Sequence, residues 1–83
     1  MNTLDSVLEI LARLTGSAQL KQHPDLRLYD LHLLDSFKTI ELMLELSDSF
    51  SVDLTPAEFD RQEWATPRAI AAYLEHKIAN ATS

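Results

Sequence analysis

The residues of this sequence that best suit chemistry are Asp35 and Ser36, which open an amphipathic segment. Either can cap the first turn of a helix, because each has a short side chain with an oxygen that accepts a backbone N–H bond. If Asp35 is the cap, the Ser36 hydroxyl stands at the positive end of the helix dipole, where free N–H groups favour a phosphate ester. The position therefore permits a phosphodiester-modified serine, although a serine that only caps the helix is the ordinary alternative.

The helix expected after Ser36 carries two apolar stripes, whereas a short surface helix needs one. At about 100° per residue, the core-facing stripe consists of Leu42, Met43, Leu46 and Phe50. The second stripe lies roughly 130° away and consists of Phe37, Ile40 and Leu44. An acidic edge beside it contains Glu41, Glu45 and Asp48. The second stripe either packs beneath the loop before Ser36 or forms a docking strip, whose acidic neighbours orient a basic partner.

Other chemical motifs are missing from the sequence. A chain with one glycine cannot form a glycine-rich phosphate loop. The three histidines, His23, His32 and His76, fall on separate segments without metal-ligand spacing, and there is no cysteine. We expect His23 and His76 to be exposed, and His32 to be at most half-buried within its apolar run. We therefore expect no catalytic residue and no metal site.

Length and charge bound the class of protein. The 83 residues fit one domain spanning 1–83. Residues 35–63 contain eight acids and two bases, a net charge of −6 that equals the total for the chain. That balance argues against a nucleic-acid binder, which needs Lys and Arg to neutralise phosphates. Because no long apolar run and no signal peptide are recognised, we expect a cytoplasmic protein that is not membrane-inserted, and we also expect it to be a monomer.

Four helices are expected to position Ser36. Apolar spacing and a cap at Thr3 predict the first helix over 4–14, ending at Gly16. An apolar loop, 16–34, must then pack on the core, and the second helix follows to about Phe50. Thr55-Pro56 starts a short third helix that ends near 62 or 63. Thr66-Pro67 starts the last helix, before a frayed tail at 79–83. We therefore predict an all-α, four-helix bundle with a long first loop.

The stretch Leu33-Leu34-Asp35-Ser36 resembles the attachment motif of the acyl carrier proteins. The run Glu58-Phe59-Asp60-Arg61, with Trp64 and Thr66-Pro67 after it, is similar to the D-alanyl carrier branch of that family, which serves teichoic acid D-alanylation. Two positions depart from that branch, because His32 and Lys38 stand where it usually has glycine. The departures motivate an alternative, a stand-alone acyl or aminoacyl carrier of another lipid or secondary-metabolite pathway. A more remote alternative is a helical interaction module without a prosthetic group.

The resemblance implies a bundle of the acyl carrier protein type and a non-catalytic carrier. Ser36 would hold 4′-phosphopantetheine from coenzyme A, attached by a phosphopantetheinyl transferase that Asp35 helps to engage. A D-alanine-activating ligase would load D-alanine as a thioester, and a membrane-bound O-acyltransferase would receive it. The residues expected to contact these partners are Asp35, Phe37, Ile40, Glu41, Leu44 and Glu45. Phe59 and Trp64 are expected to pack in or near the core.

Overall fold

The computed structural model describes residues 3–55 and 60–81, with side chains to Ala79. These residues form three α-helices and one 3₁₀ helix: α1 Thr3–Thr15, the 3₁₀ helix Ala18–Gln22, α2 Ser36–Phe50 and α3 Pro67–Ala81. Helix α1 packs against both α2 and α3. No strand occurs within the described ranges, so the all-α prediction is confirmed for them.

Helix α1 ends where the sequence predicts. Gly16 has a φ of 73°, a left-handed conformation that glycine adopts without a Cβ clash. The Ser17 N–H then donates to the Ala12 carbonyl at 3.1 Å, the six-to-one bond of a Schellman motif. This stop fixes the direction in which the chain leaves α1 and enters the loop before Ser36.

The loop 16–34 packs on the core, as its composition predicts. Leu20, Leu28 and Leu34 are buried in it. Backbone hydrogen bonds tie it to the segment before α3, because the Leu28 N–H donates to the Ala65 carbonyl at 2.9 Å. Leu31 is the exception, since 53% of its surface remains exposed. The loop therefore packs on the core and fixes the position of Asp35 and Ser36 at the start of α2.

The predicted short third helix is not found among the described residues of its range. Residues 60–64 form a single turn, closed by the Trp64 N–H donating to the Asp60 carbonyl at 3.1 Å. Asp60 Oδ1 also accepts from the Gln62 N–H at 2.8 Å, a local bond that competes with helix formation. Residues 56–59, which include Glu58 and Phe59, lie outside the described residues. The four-helix count is therefore not confirmed.

Helix α3 packs against α1 and contributes buried side chains to the core. Thr66 Oγ1 accepts the Ala69 N–H at 3.1 Å, which confirms the predicted cap. Trp64 is fully buried, as predicted, and its ring lies 5.6 Å from the ring of Tyr73. Ile70 and Leu74 of the predicted stripe are likewise fully buried. The helix continues through Ala81 into the predicted tail.

Candidate functional site

Ser36 is the first residue of α2 and its side chain is exposed. Asp35, in an extended conformation, is the cap, because its Oδ1 accepts the Lys38 N–H at 2.8 Å. Within the described part of the chain, no hydrogen bond occupies the Ser36 hydroxyl. Asp35, and not Ser36, therefore caps α2, and the Ser36 hydroxyl faces solvent at the start of the helix.

A buried hydrogen-bond relay braces the turn that carries Ser36. Thr39, which is buried, donates from Oγ1 to the Asp35 carbonyl at 2.7 Å. The Tyr29 hydroxyl oxygen lies 2.6 Å from Thr39 Oγ1. Because the Thr39 hydroxyl has one proton and spends it on Asp35, the Tyr29 hydroxyl is the donor. The relay joins the packed loop to the first turn of α2.

Tyr29 is the titratable group in this relay. Burial raises the pKa of its phenol above the ordinary value of 10.0, and the nearby Asp35 carboxylate acts in the same direction. The charge of Arg61 acts in the opposite direction but does not cancel the effect of burial. The phenol is therefore protonated at neutral pH and remains a hydrogen-bond donor.

A hollow of about 210 Å³ opens beside the Ser36 hydroxyl. Its lining residues come from the loop, from the first turn of α2 and from the turn at 60–64; they are Tyr29, His32, Leu34, Asp35, Ser36, Thr39 and Arg61. The guanidinium of Arg61 stands over the Tyr29 ring, with its Cζ 4.8 Å from the ring centroid. An exposed serine hydroxyl beside an open, partly cationic hollow fits a phosphate ester attached to Ser36.

His32 lies at the rim of this hollow in a strained conformation. Its φ of 59° is in the left-handed region, which costs a residue with a Cβ more than it costs glycine. Glycine adopts this conformation without a Cβ clash. His32 is exposed and not half-buried, and His23 and His76 are exposed as expected.

The second apolar stripe of α2 remains in solvent. Phe37, Ile40 and Leu44 are 71%, 48% and 67% exposed. The alternative in which they pack beneath the loop is therefore wrong. Leu44 shares a shallow hollow of about 470 Å³ with Leu14 and with three acids of the predicted edge, Glu41, Glu45 and Asp48.

Glu45 has a partner within the chain that the sequence did not reveal. Its Oε2 lies 3.0 Å from Nη2 of Arg13, and both side chains are largely exposed. An exposed ion pair of this kind contributes roughly 0–1 kcal/mol. Arg13 therefore offsets part of the negative charge of the acidic edge, but the pair is too weak to keep Glu45 from pairing with another cation.

Arg61 was not among the predicted site residues. It is distant from Ser36 in sequence, and no local pattern indicates that the two share a hollow. Within residues 3–55 and 60–81, no group of acids and histidines could hold a metal ion. None of the helices described here is both long and apolar enough to span a membrane.

Comparison with known proteins identifies relatives over most of the chain. Residues 5–74 match the family described as "Phosphopantetheine attachment site". The chain is 51% identical to the D-alanyl carrier protein of Lacticaseibacillus rhamnosus, over 86% of this chain and 88% of that protein. It is 44% identical to the D-alanyl carrier protein of Latilactobacillus sakei, over 87% and 92%. For that of Staphylococcus saprophyticus the identity is 37%, over 90% and 96%.

Proposed function

The chain belongs to the D-alanyl carrier proteins, and from this premise we propose that Ser36 carries 4′-phosphopantetheine, on which D-alanine is held as a thioester. The protein is a carrier without catalytic activity of its own. One observation carries the assignment of the residue: the Ser36 hydroxyl is exposed at the start of α2 while Asp35 does the capping.

The residues around Ser36 support this role. In the modification, a bond forms between Ser36 Oγ and phosphorus, the pyrophosphate bond of coenzyme A breaks, and the nucleotide bisphosphate and the serine proton leave. Asp35 and the relay through Thr39 hold the first turn of α2 so that the hydroxyl is presented in one place. The bound group supplies a terminal thiol, which a chain without cysteine lacks.

The partners follow from the proposed role. A phosphopantetheinyl transferase modifies Ser36, and an adenylating D-alanine ligase loads the thiol. A membrane-bound O-acyltransferase receives D-alanine for the D-alanylation of teichoic or lipoteichoic acid. Coenzyme A and ATP are consumed by the first two partners, so we place the protein in the cytoplasm, where it acts as a monomer.

Phe37, Ile40 and Leu44 form the proposed docking strip, with Glu41 and Glu45 as its acidic rim. Exposed apolar side chains on a rigid helix are anchors for a partner surface, and flanking carboxylates attract a basic partner and set its orientation. The weak ion pair with Arg13 leaves Glu45 able to exchange to a partner cation.

Intact mass after incubation with coenzyme A and a broad-specificity phosphopantetheinyl transferase tests the assignment of Ser36. We expect the mass of one phosphopantetheine group on the wild type and none on Ser36→Ala. Ser49→Ala is the matched control, because Ser49 is also an exposed serine of α2. An unmodified wild type, or a modified Ser36→Ala, contradicts the proposal. The chain would then be a helical interaction module.

Loading by purified ligases tests the cargo. The modified protein is expected to accept D-alanine from an ATP-dependent D-alanine ligase. Exclusive loading by a fatty-acyl or other aminoacyl ligase would instead assign the chain to another pathway.

Charge reversal tests the docking strip. Glu41→Lys is expected to raise the ligase KM several-fold, and added salt is expected to raise the wild-type KM. Glu75→Lys is the matched control, since Glu75 is exposed on α3 and the change in net charge is the same. Equal effects of the two reversals would mean that the acidic rim is only solvated.

A further inference from the structure

Arg61 provides the one permanent positive charge among the described residues that line the hollow at Ser36. It comes from the turn at 60–64, whereas Asp35, Ser36 and Thr39 line the same hollow from the start of α2. Tyr29 contacts both parts of the chain, Arg61 through its ring and Thr39 through its hydroxyl, and both Arg61 and Asp35 influence the Tyr29 phenol electrostatically. The hollow therefore brings a guanidinium, a carboxylate and the candidate attachment hydroxyl together.

Arg61 is held in a way that leaves its hydrogen-bonding capacity available. Its contact with the Tyr29 ring, at 4.8 Å, uses the positive charge and restricts the side chain. Among the described residues, Arg13, Arg27 and Arg68 each pair with a carboxylate, whereas Arg61 pairs with none. A guanidinium has five N–H donors in a planar fork, a geometry that matches the oxygens of a phosphate.

An anion attached to Ser36 would need such a cation. The neighbouring Asp35 carboxylate is already exposed at the same hollow, and residues 35–63 have a net charge of −6. A phosphodiester at Ser36 adds another negative charge beside Asp35, and like charges in close proximity repel. The Arg61 guanidinium, which lines the same hollow, offsets that repulsion.

We propose that Arg61 binds the phosphodiester of the group esterified to Ser36, and that the Arg61–Tyr29 stack thereby fixes the base of the phosphopantetheine arm against the protein. The inference rests on the proposed function, because it requires modification at Ser36. It assigns the hollow as an anion subsite, with the remainder of the arm extending beyond it toward partners. Arg61 is a positioning residue in this scheme.

NMR of the wild-type protein before and after modification tests the inference without any substitution. The ¹H–¹⁵N signal of Arg61 Nε is expected to shift on modification, because a charge-assisted hydrogen bond to phosphate forms. The Nε signal of Arg27 is the internal reference, since Arg27 pairs with Asp30 instead. A shift of Arg61 no larger than that of Arg27 overturns the inference.

The ³¹P spectrum of modified variants provides the second measurement. The phosphodiester resonance of the wild type is expected to depend on salt concentration, whereas that of Arg61→Gln is expected to be shifted and independent of salt. Arg61→Lys is expected to give an intermediate shift. Arg27→Gln, which also removes one exposed arginine, is expected to leave the resonance unchanged. A resonance identical in the wild type and Arg61→Gln contradicts the inference.

Intact mass separates this inference from the proposed function. A wild type that gains no phosphopantetheine refutes the function and the inference together. A wild type that is modified at Ser36, but whose Arg61 signal and ³¹P resonance do not respond as above, refutes the inference alone.

Discussion

The hydrogen-bond relay under Ser36 gives a stability prediction that can be worked from the structure. In Tyr29→Phe the ring remains in place for its contact with Arg61, while the hydroxyl that donates to Thr39 Oγ1 at 2.6 Å is lost. Thr39 retains its own bond to the Asp35 carbonyl, so no buried donor is left without an acceptor. The loss is one neutral hydrogen bond, for which we expect the free energy of unfolding to fall by about 1 kcal/mol.

The assay is thermal and urea unfolding of the wild type, the two single variants and the double variant. A loss of about 1 kcal/mol lowers Tm by roughly 4–8 °C in a domain of this size. Thr39→Val removes the acceptor and also the bond to Asp35, so it is expected to be the more destabilising single change. The double variant should be less destabilised than the sum of the two, because they share one interaction.

Strict additivity of the two substitutions would refute the relay. So would a Tyr29→Phe variant as stable as the wild type. Hydrogen exchange at the Lys38 amide, which donates to Asp35, reports whether the damage reaches the turn that carries Ser36.

Three further predictions concern the same turn. Because burial raises the pKa of Tyr29, the unfolded chain loses the phenol proton first, so urea unfolding should show stability declining above a pH of about 10 in the wild type and less so in Tyr29→Phe. His32→Gly removes the strain of a Cβ-bearing residue in the left-handed conformation, a gain of about 1–2 kcal/mol, but glycine adds an entropy cost of about 0.5–1 kcal/mol. We therefore expect the free energy of unfolding to rise by roughly 0.5 kcal/mol. A lower urea midpoint would contradict the strain argument. Asp35→Ala removes the cap of α2 and should cost about 1 kcal/mol, whereas Asp35→Asn should cost less because its side-chain oxygen still accepts; equal losses would show that the Lys38 N–H bond is unimportant.

The sequence determined those parts of the molecule that depend on near neighbours in the chain. The stop at Gly16, the cap at Thr66 and the core-facing stripe of α2 were predicted, because each results from contacts within about one or two helical turns. A cap at the start of α2 was predicted as well, but only the structure shows that it is Asp35 and not Ser36. The exposed Ser36 at the start of α2 follows from the same local rules. The predicted third helix shows their limit, since the described part of its range, from residue 60 to its expected end near 62 or 63, is not helical.

Tertiary structure decided what depends on distant parts of the chain. The pattern of α2 predicts the core-facing stripe but does not say whether the second stripe packs beneath the loop, and only the packing of the whole fold leaves Phe37 and Leu44 in solvent. Likewise, the packed loop places Tyr29 beneath the first turn of α2, and the turn at 60–64 brings Arg61 over its ring. The position of Ser36, the candidate attachment residue, is therefore encoded locally, whereas the surroundings of its hydroxyl exist only because segments far apart in sequence meet in the folded chain.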